Sequence, residues 1–418
     1  MTSISKRAIF RSLISNYILL FITEFVAALL IPMLTILFFK ETKFLFENYS
    51  LANISYLYAA LLLITQLANM FSNVFVGFLS DYVNRKFAMS VCYIGYLVQV
   101  MCCIVAIKTG LITIFFIGTV IGGLTMAIRP ICTAYIIANA PEKNRFIFTG
   151  LIQFFIGIGF ILGPMLTYQL LKIDLSSAIP NVVYPYIFSV IILVGVIVWV
   201  LFSSVFQNRI VQEKTSLFGY LSFLKNKNMW FLFLLLILNQ LIWGTFYQYV
   251  PAIGKHILGF DNKEITYFYS LLGFTLAITT VIVLPIINYI FPAKGKMILG
   301  VLGFIAANIV AIVSLTARLD YLIWYAEVII LMSDLLVFIS LTVAIAHHTP
   351  KQALGLSMGI IYTFGAGASW GVGAIIGGIL FPINPILILY ACLAISVVLG
   401  VLILYRQDVF IKTEPLNI

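Results

Sequence analysis

Charge is scarce in this chain. Only 9% of its 418 residues are Asp, Glu, Lys or Arg, where an ordinary soluble domain carries about 25%. With 63% hydrophobic residues, that excludes a water-soluble globular domain and leaves an integral membrane protein. Histidine is scarcer still, at three residues. The cysteines, at 92, 102, 103, 132 and 392, all fall inside apolar runs. No CxxC pair or Cys/His cluster occurs, so neither a disulfide framework nor a metal site is indicated. No GxxxxGK[ST] phosphate loop, soluble ATPase region or catalytic triad signature is present. That excludes ATP-driven transport within this chain, argues against an enzyme and implies no cofactor. The net charge of +10 does not point to nucleic acid, because the basic residues sit in short loops rather than on one amphipathic face.

What the chain has in abundance is long apolar runs. A helix needs about 20 such residues to cross a bilayer. Twelve segments qualify, at 16–39, 54–80, 87–107, 111–139, 147–171, 183–206, 229–250, 265–290, 297–317, 321–346, 352–380 and 383–405. They are continuously apolar rather than alternating, which argues against a β-barrel. The expected fold is therefore an all-α, multi-pass membrane protein. Lys6, Arg7 and Arg11 precede the first run, which is too long for a signal peptide and reads as an uncleaved span. The polar stretch 207–228 divides the chain into an N-terminal six-span bundle (1–206), a cytoplasmic linker and a C-terminal six-span bundle (229–418). With both termini cytoplasmic, sixteen of the 24 basic residues lie in cytoplasmic segments and seven in outer loops, with Arg129 inside a span. That bias obeys the positive-inside rule.

Between the second and third spans stands GFLSDYVNRK, residues 77 to 86. Gly77 permits close helix contact, Asp81 can accept hydrogen bonds at a helix end, and Arg85 and Lys86 anchor the turn at the cytoplasmic surface. The run resembles the loop signature of the major facilitator superfamily, with Gly77, Leu79, Ser80, Asp81, Arg85 and Lys86 matching and Tyr82 and Asn84 departing from it. In the fifth span, Gly159-x-x-x-Gly163-Pro164 is similar to a motif of that superfamily's drug–proton antiporters, with Thr167 and Tyr168 where the motif has two glycines. Arg129 matches the same branch's fourth-span Arg. The resemblance implies two pseudo-symmetric six-helix bundles that alternate access to a central cavity lined by spans one, four, seven and ten. It also implies that Asp81, Arg85 and Lys86 stabilise one access state. LPIINYIFPAKGK, 284 to 296, is a weak second-half echo of the loop, with Asn288 at the acidic position.

Four charged residues fall within spans: Glu24, Arg129, Glu327 and Asp334. Each costs about 2.5–3.5 kcal/mol at a helix centre on insertion scales, so each must be paired, hydrated or functional. Spans three, six, nine and twelve contain none. At 1.5 Å per residue, Glu24 and Arg129 both lie roughly 4–6 Å to the cytoplasmic side of the midplane, so an ion pair between them is expected. Such a pair suits a proton switch, with substrate or cavity closure releasing the carboxyl from the guanidinium. Its structural rival is a fixed pair that locks two helices. Asp334 has no basic residue within two turns on its own helix, which suits a second proton or a cationic group, with a simple hydrogen-bonded structural Asp as the rival. Glu327, nearer the outer end, is expected to reach water by snorkelling.

Uncharged polar and aromatic residues gather on the same kind of helix. Gln66, Asn69 and Asn73 share one face of the second span. Asn239, Gln240, Tyr247 and Gln248 mark the seventh, and Trp243 and Trp370 offer aromatic surface. The eleventh span is dense in glycine, which suits either tight packing or bending. The expected function is secondary transport of a small molecule, with proton-coupled efflux leading. Proton-coupled uptake of a nutrient, such as an amino acid or a metal-chelating small molecule, is the alternative, and a non-transporting receptor or scaffold is the reading from another class. Expected partners are the substrate, protons and a bilayer, in a prokaryotic inner membrane, with the protein acting as a monomer.

Overall fold

The computed structural model describes residues 6–39, 44–46, 49–82, 85–139, 145–173, 180–203, 227–348 and 360–406. These are helical throughout their ordered elements, with no strand among the described residues. Twelve helices are long and apolar enough to cross a membrane: Phe10–Phe39, Leu51–Asn73, Arg85–Thr109, Ile112–Thr133, Leu151–Leu171, Asn181–Phe202, Lys227–Leu258, Asn262–Ile290, Lys294–Ala317, Tyr321–Ile345, Ile361–Leu380 and Leu387–Tyr405. Each overlaps one expected segment. In lipid the backbone must satisfy its own polar groups, so an apolar run of this length has no alternative to helix.

The uncharged spans carry outward apolar stripes. Phe87, Ile94, Val98, Met101 and Val105 are exposed on the third span, and Ile191, Val194, Val198 and Leu201 on the sixth. Their spacing of three, four and seven traces one face of a helix. In water such stripes would mark aggregation; on a membrane helix they are the lipid face.

Several spans are interrupted. The fourth is two helices, Ile112–Gly123 and Ile128–Asn139. Pro130 has no N–H to offer back along the helix. The Thr125 hydroxyl instead donates toward the carbonyls of Ile121 and Gly122, at 2.9 and 3.1 Å. In the eighth span, Pro285 follows a wider π-helical turn at Thr279–Val283. The seventh ends at Gly259, in the left-handed conformation with φ 77°.

The chain forms two compact units. One holds Met1–Tyr49, Leu67–Gln212 and Asp261–Ala277, and the other Ser50–Gln66, Glu213–Phe260 and Ile278–Ile418. These units interleave along the sequence, whereas the division at 207–228 is linear. Residues 207–226 of that linker lie outside the described residues. Within the first unit, Gly273 of the eighth span approaches the fifth so closely that a Cβ there would lie 2.5 Å from the backbone at Phe160 and Ile161. Within the second, the Tyr58 hydroxyl donates to the Gln248 carbonyl at 2.9 Å, tying the start of the second span to the seventh.

Candidate functional site

In the first unit, Glu24 and Arg129 make the expected ion pair. Arg129 Nε donates to Glu24 Oε1 at 2.7 Å and Nη2 to Oε2 at 2.5 Å, a bidentate fork. The Glu24 side chain is 5% exposed and that of Arg129 38%. The pairing depends on the break in the fourth span, because Arg129 lies in the first turn of the second helical piece. It also depends on the fifth span. A Cβ on Gly159 would lie 2.8 Å from Phe25 N and 3.2 Å from Glu24 Cβ, and one on Gly163 2.7 Å from Leu29 N. The two glycines therefore press the fifth span's backbone onto the first span beside Glu24. Pro164 stands inside the fifth-span helix, next to Gly163. Thr167 fills the place of a motif glycine, and its hydroxyl donates to the Leu29 carbonyl at 2.5 Å.

Arg85 differs from its expected place. It is buried, at 5% exposure, rather than anchoring the turn at a surface. It donates to Asn16 Oδ1 and to the Ile131 carbonyl, and its guanidinium lies 4.0 Å over the Tyr135 ring. The guanidinium's flat faces and fork suit it to this interior position, where an ammonium would leave the ring and amide less well matched. Asn16 and Tyr135 were not legible as partners; the available signal was a lone amide at the base of an apolar helix. Lys86 is half-buried. The surroundings of Gly77 and the side chain of Asp81 lie outside what the structure describes. In the second-half echo of this loop, Lys296 Nζ donates to Asn288 Oδ1 at 2.5 Å.

The second unit holds the other cluster. Asp334 is buried, and its Oδ1 accepts from Asn239 Nδ2 at 2.6 Å and Gln240 Nε2 at 2.8 Å. Gln240 Oε1 accepts from Trp370 Nε1 at 3.3 Å. Tyr247 lies between two tryptophans, 5.5 Å from Trp243 and 5.4 Å from Trp370 between ring centroids. Gly244 makes room for Trp370, since a Cβ there would lie 2.4 Å from the indole. Five of the expected cavity residues thus converge on Asp334 or its neighbours. Gln248 joins them by donating to the Trp370 carbonyl at 3.4 Å.

Glu327 does not snorkel. It is fully buried, and neither carboxyl oxygen has a hydrogen-bond partner among the described residues. It stands seven residues before Asp334 on one helix, so the two share a face about 10 Å apart along the axis. Asn69 and Asn73 are half-buried on the second span and join neither cluster through a hydrogen bond among the described residues.

Twelve helices long and apolar enough to cross a membrane, with an ion pair and buried acids among them, fit a membrane transporter. A model of the Major Facilitator Superfamily matches residues 16–369, and the chain belongs to that family. No curated protein matches it. Among solved structures it is similar to a D-xylose–proton symporter, at 13% identity and a TM-score of 0.73 over 93% of this chain and 97% of that one. It is also similar to the POT family transporter PepTSo, at 11% identity and a TM-score of 0.73 over 97% and 99%. The human organic anion transporter MFSD10 matches at 14% identity and a TM-score of 0.63 over 94% and 99%. Likeness at these identities is likeness of fold.

Proposed function

We propose that this protein exports a small molecule in exchange for protons, by alternating access between two six-span halves joined through 207–228. The observation that carries the reading is the Glu24–Arg129 fork: an ionisable pair inside apolar spans, seated by a helix break and by two glycines of the fifth span. Glu24 carries the proton, and Arg129 holds the carboxylate when the proton has left. Asp334 binds substrate or a second proton. Asp81, Arg85 and Lys86 stabilise one access state. The termini face the cytoplasm of a prokaryotic inner membrane, and the protein acts as a monomer.

Thr167 favours a second reading, proton-coupled uptake. Its hydroxyl pins the fifth span to the Leu29 carbonyl where the antiporter motif has a glycine. Vesicles reconstituted with the protein and given an imposed proton gradient separate the two. Substrate leaving against entering protons supports exchange; accumulation alongside protons supports uptake. Glu24→Gln is expected to remove the pH response of flux, and an unchanged response would overturn the assignment of Glu24. Absence of any radiolabelled flux across a compound panel would favour a receptor or scaffold.

A further inference from the structure

Three acids lie in the first and tenth spans, and they differ in support. Glu24 is forked to Arg129, and Asp334 accepts two amide donors. Glu327 has neither. It is 0% exposed, and both of its carboxyl oxygens lack a hydrogen-bond partner among the described residues. A carboxylate without water, donors or a counter-charge is among the costliest groups to bury, and such a group neutralises instead. A leucine would fill similar volume without that cost, which sets Glu327 apart from an acid that only ties helices together.

The surroundings supply no cation. The tenth span packs against the ninth, the seventh and the π-helical turn of the eighth. The ninth brings Lys294 and Lys296 at its far end and Arg318 just past its near end. The seventh brings Lys227 at its start, the phenols of Tyr247 and Tyr249, and Lys255 and His256 in its closing turn. The turn of the eighth has no titratable side chain. None of these groups bonds to Glu327. Gln240 meets Asp334, and the seventh and tenth spans run in opposite directions. Tyr247, seven residues on, is therefore level with Glu327, seven residues back. No group of three His, Cys, Asp or Glu side chains among the described residues could hold a metal ion. The short way to water is roofed as well. Three residues nearer the helix start, Trp324 stacks on the buried Phe260, with 5.7 Å between ring centroids. The longer way runs along the face that carries Asp334.

We propose that Glu327 is a proton-binding site, filled in this conformation, and that it carries a proton separate from the one on Glu24. The proton sits on a carboxyl oxygen and removes the charge. When the alternate conformation admits water along the face shared with Asp334, the proton leaves to that water and the carboxylate is hydrated in its place. A site that is full whenever it is shut adds to the proton count without shaping the pH response of flux, which is left to Glu24. Asp334 is then left for substrate. The departure of the proton rests on the transporter reading; its presence in the closed site does not.

Infrared spectroscopy of the purified full-length protein at neutral pH tests the presence. The spectrum of the unaltered protein minus that of Glu327→Gln is expected to contain the carbonyl stretch of a protonated carboxyl. Absence of that band overturns the proposal. Glu327→Leu serves in the same way if Glu327→Gln does not fold. If neither folds, isotopic labelling of glutamate in the unaltered protein decides, and a protonated-carboxyl region that the label leaves unmoved overturns the site. Proton counting in reconstituted vesicles tests the departure. The number of protons moved per substrate is expected to fall by one in Glu327→Gln, and an unchanged count overturns the carrying role. Normal flux without the infrared band sustains transport and overturns the site. A clear band with no flux in the unaltered protein sustains the site and overturns the carrying role together with the transporter reading.

Discussion

Glu24 and Arg129 are bound by two parallel charge-assisted hydrogen bonds, at 2.7 and 2.5 Å, with the carboxylate buried and the guanidinium partly open. A double-mutant cycle of Glu24→Gln and Arg129→Gln, read by chemical unfolding in detergent, is expected to give about 1–3 kcal/mol. Simple additivity would show that the two side chains do not interact. Glu327 poses the opposite case. Its carboxyl is buried without a hydrogen-bond partner among the described residues, which costs stability rather than adding it. Glu327→Leu is therefore expected to raise the unfolding free energy by about 1–3 kcal/mol, and a loss of that size would mean the carboxyl is bonded after all. The depth of Glu327 did not follow from its place near a helix end. Snorkelling requires a free path along the helix to water, and tertiary packing closes it.

Among the helices, a close backbone fit flanks that ion pair. Gly159 and Gly163 meet the backbone of the first span, which cannot swing aside as a flexible side chain can. Gly195 of the sixth span has open space where a Cβ would stand. Gly159→Ala is thus expected to lower the thermal midpoint and to impair flux. Gly195→Ala is expected to be neutral or to stabilise by up to about 1 kcal/mol, through helix propensity alone. Thermal unfolding of the two variants side by side checks this, and equal midpoints would show that the fifth-span glycines are mere filler. The glycines were legible because a small residue every fourth position has a physical meaning in lipid. So were the spans, since length and apolarity suffice to define them. The break before Arg129 was not. Its signals, Gly122, Gly123 and Pro130, stand in the sequence, but an unbroken apolar run conceals them from a count of hydrophobic residues.

For the molecule as a whole, the linear halves and the compact units disagree over two segments, 50–66 and 261–277. A helix belongs to its half by covalent connection but to its unit by packing, and sequence carries only the first kind of information directly. The second span is one continuous helix, Leu51–Tyr82, yet its first part packs with the seventh and eleventh spans. If alternating access operates, such packing must be exchanged during each cycle, because rocking of halves separates what the covalent chain does not hold together. Gln66 and Gly371 allow a direct test. A Cβ built on Gly371 lies 3.8 Å from Gln66 Cβ, the mean separation, about 3.8 Å, across a disulfide. The pair Gln66→Cys and Gly371→Cys is expected to cross-link on mild oxidation, to stop flux when linked, and to regain it on reduction. Full cross-linking with undiminished flux would mean that the second and eleventh spans travel together, and the moving boundary would then have to lie elsewhere, at the contact of Gly273 with the fifth span.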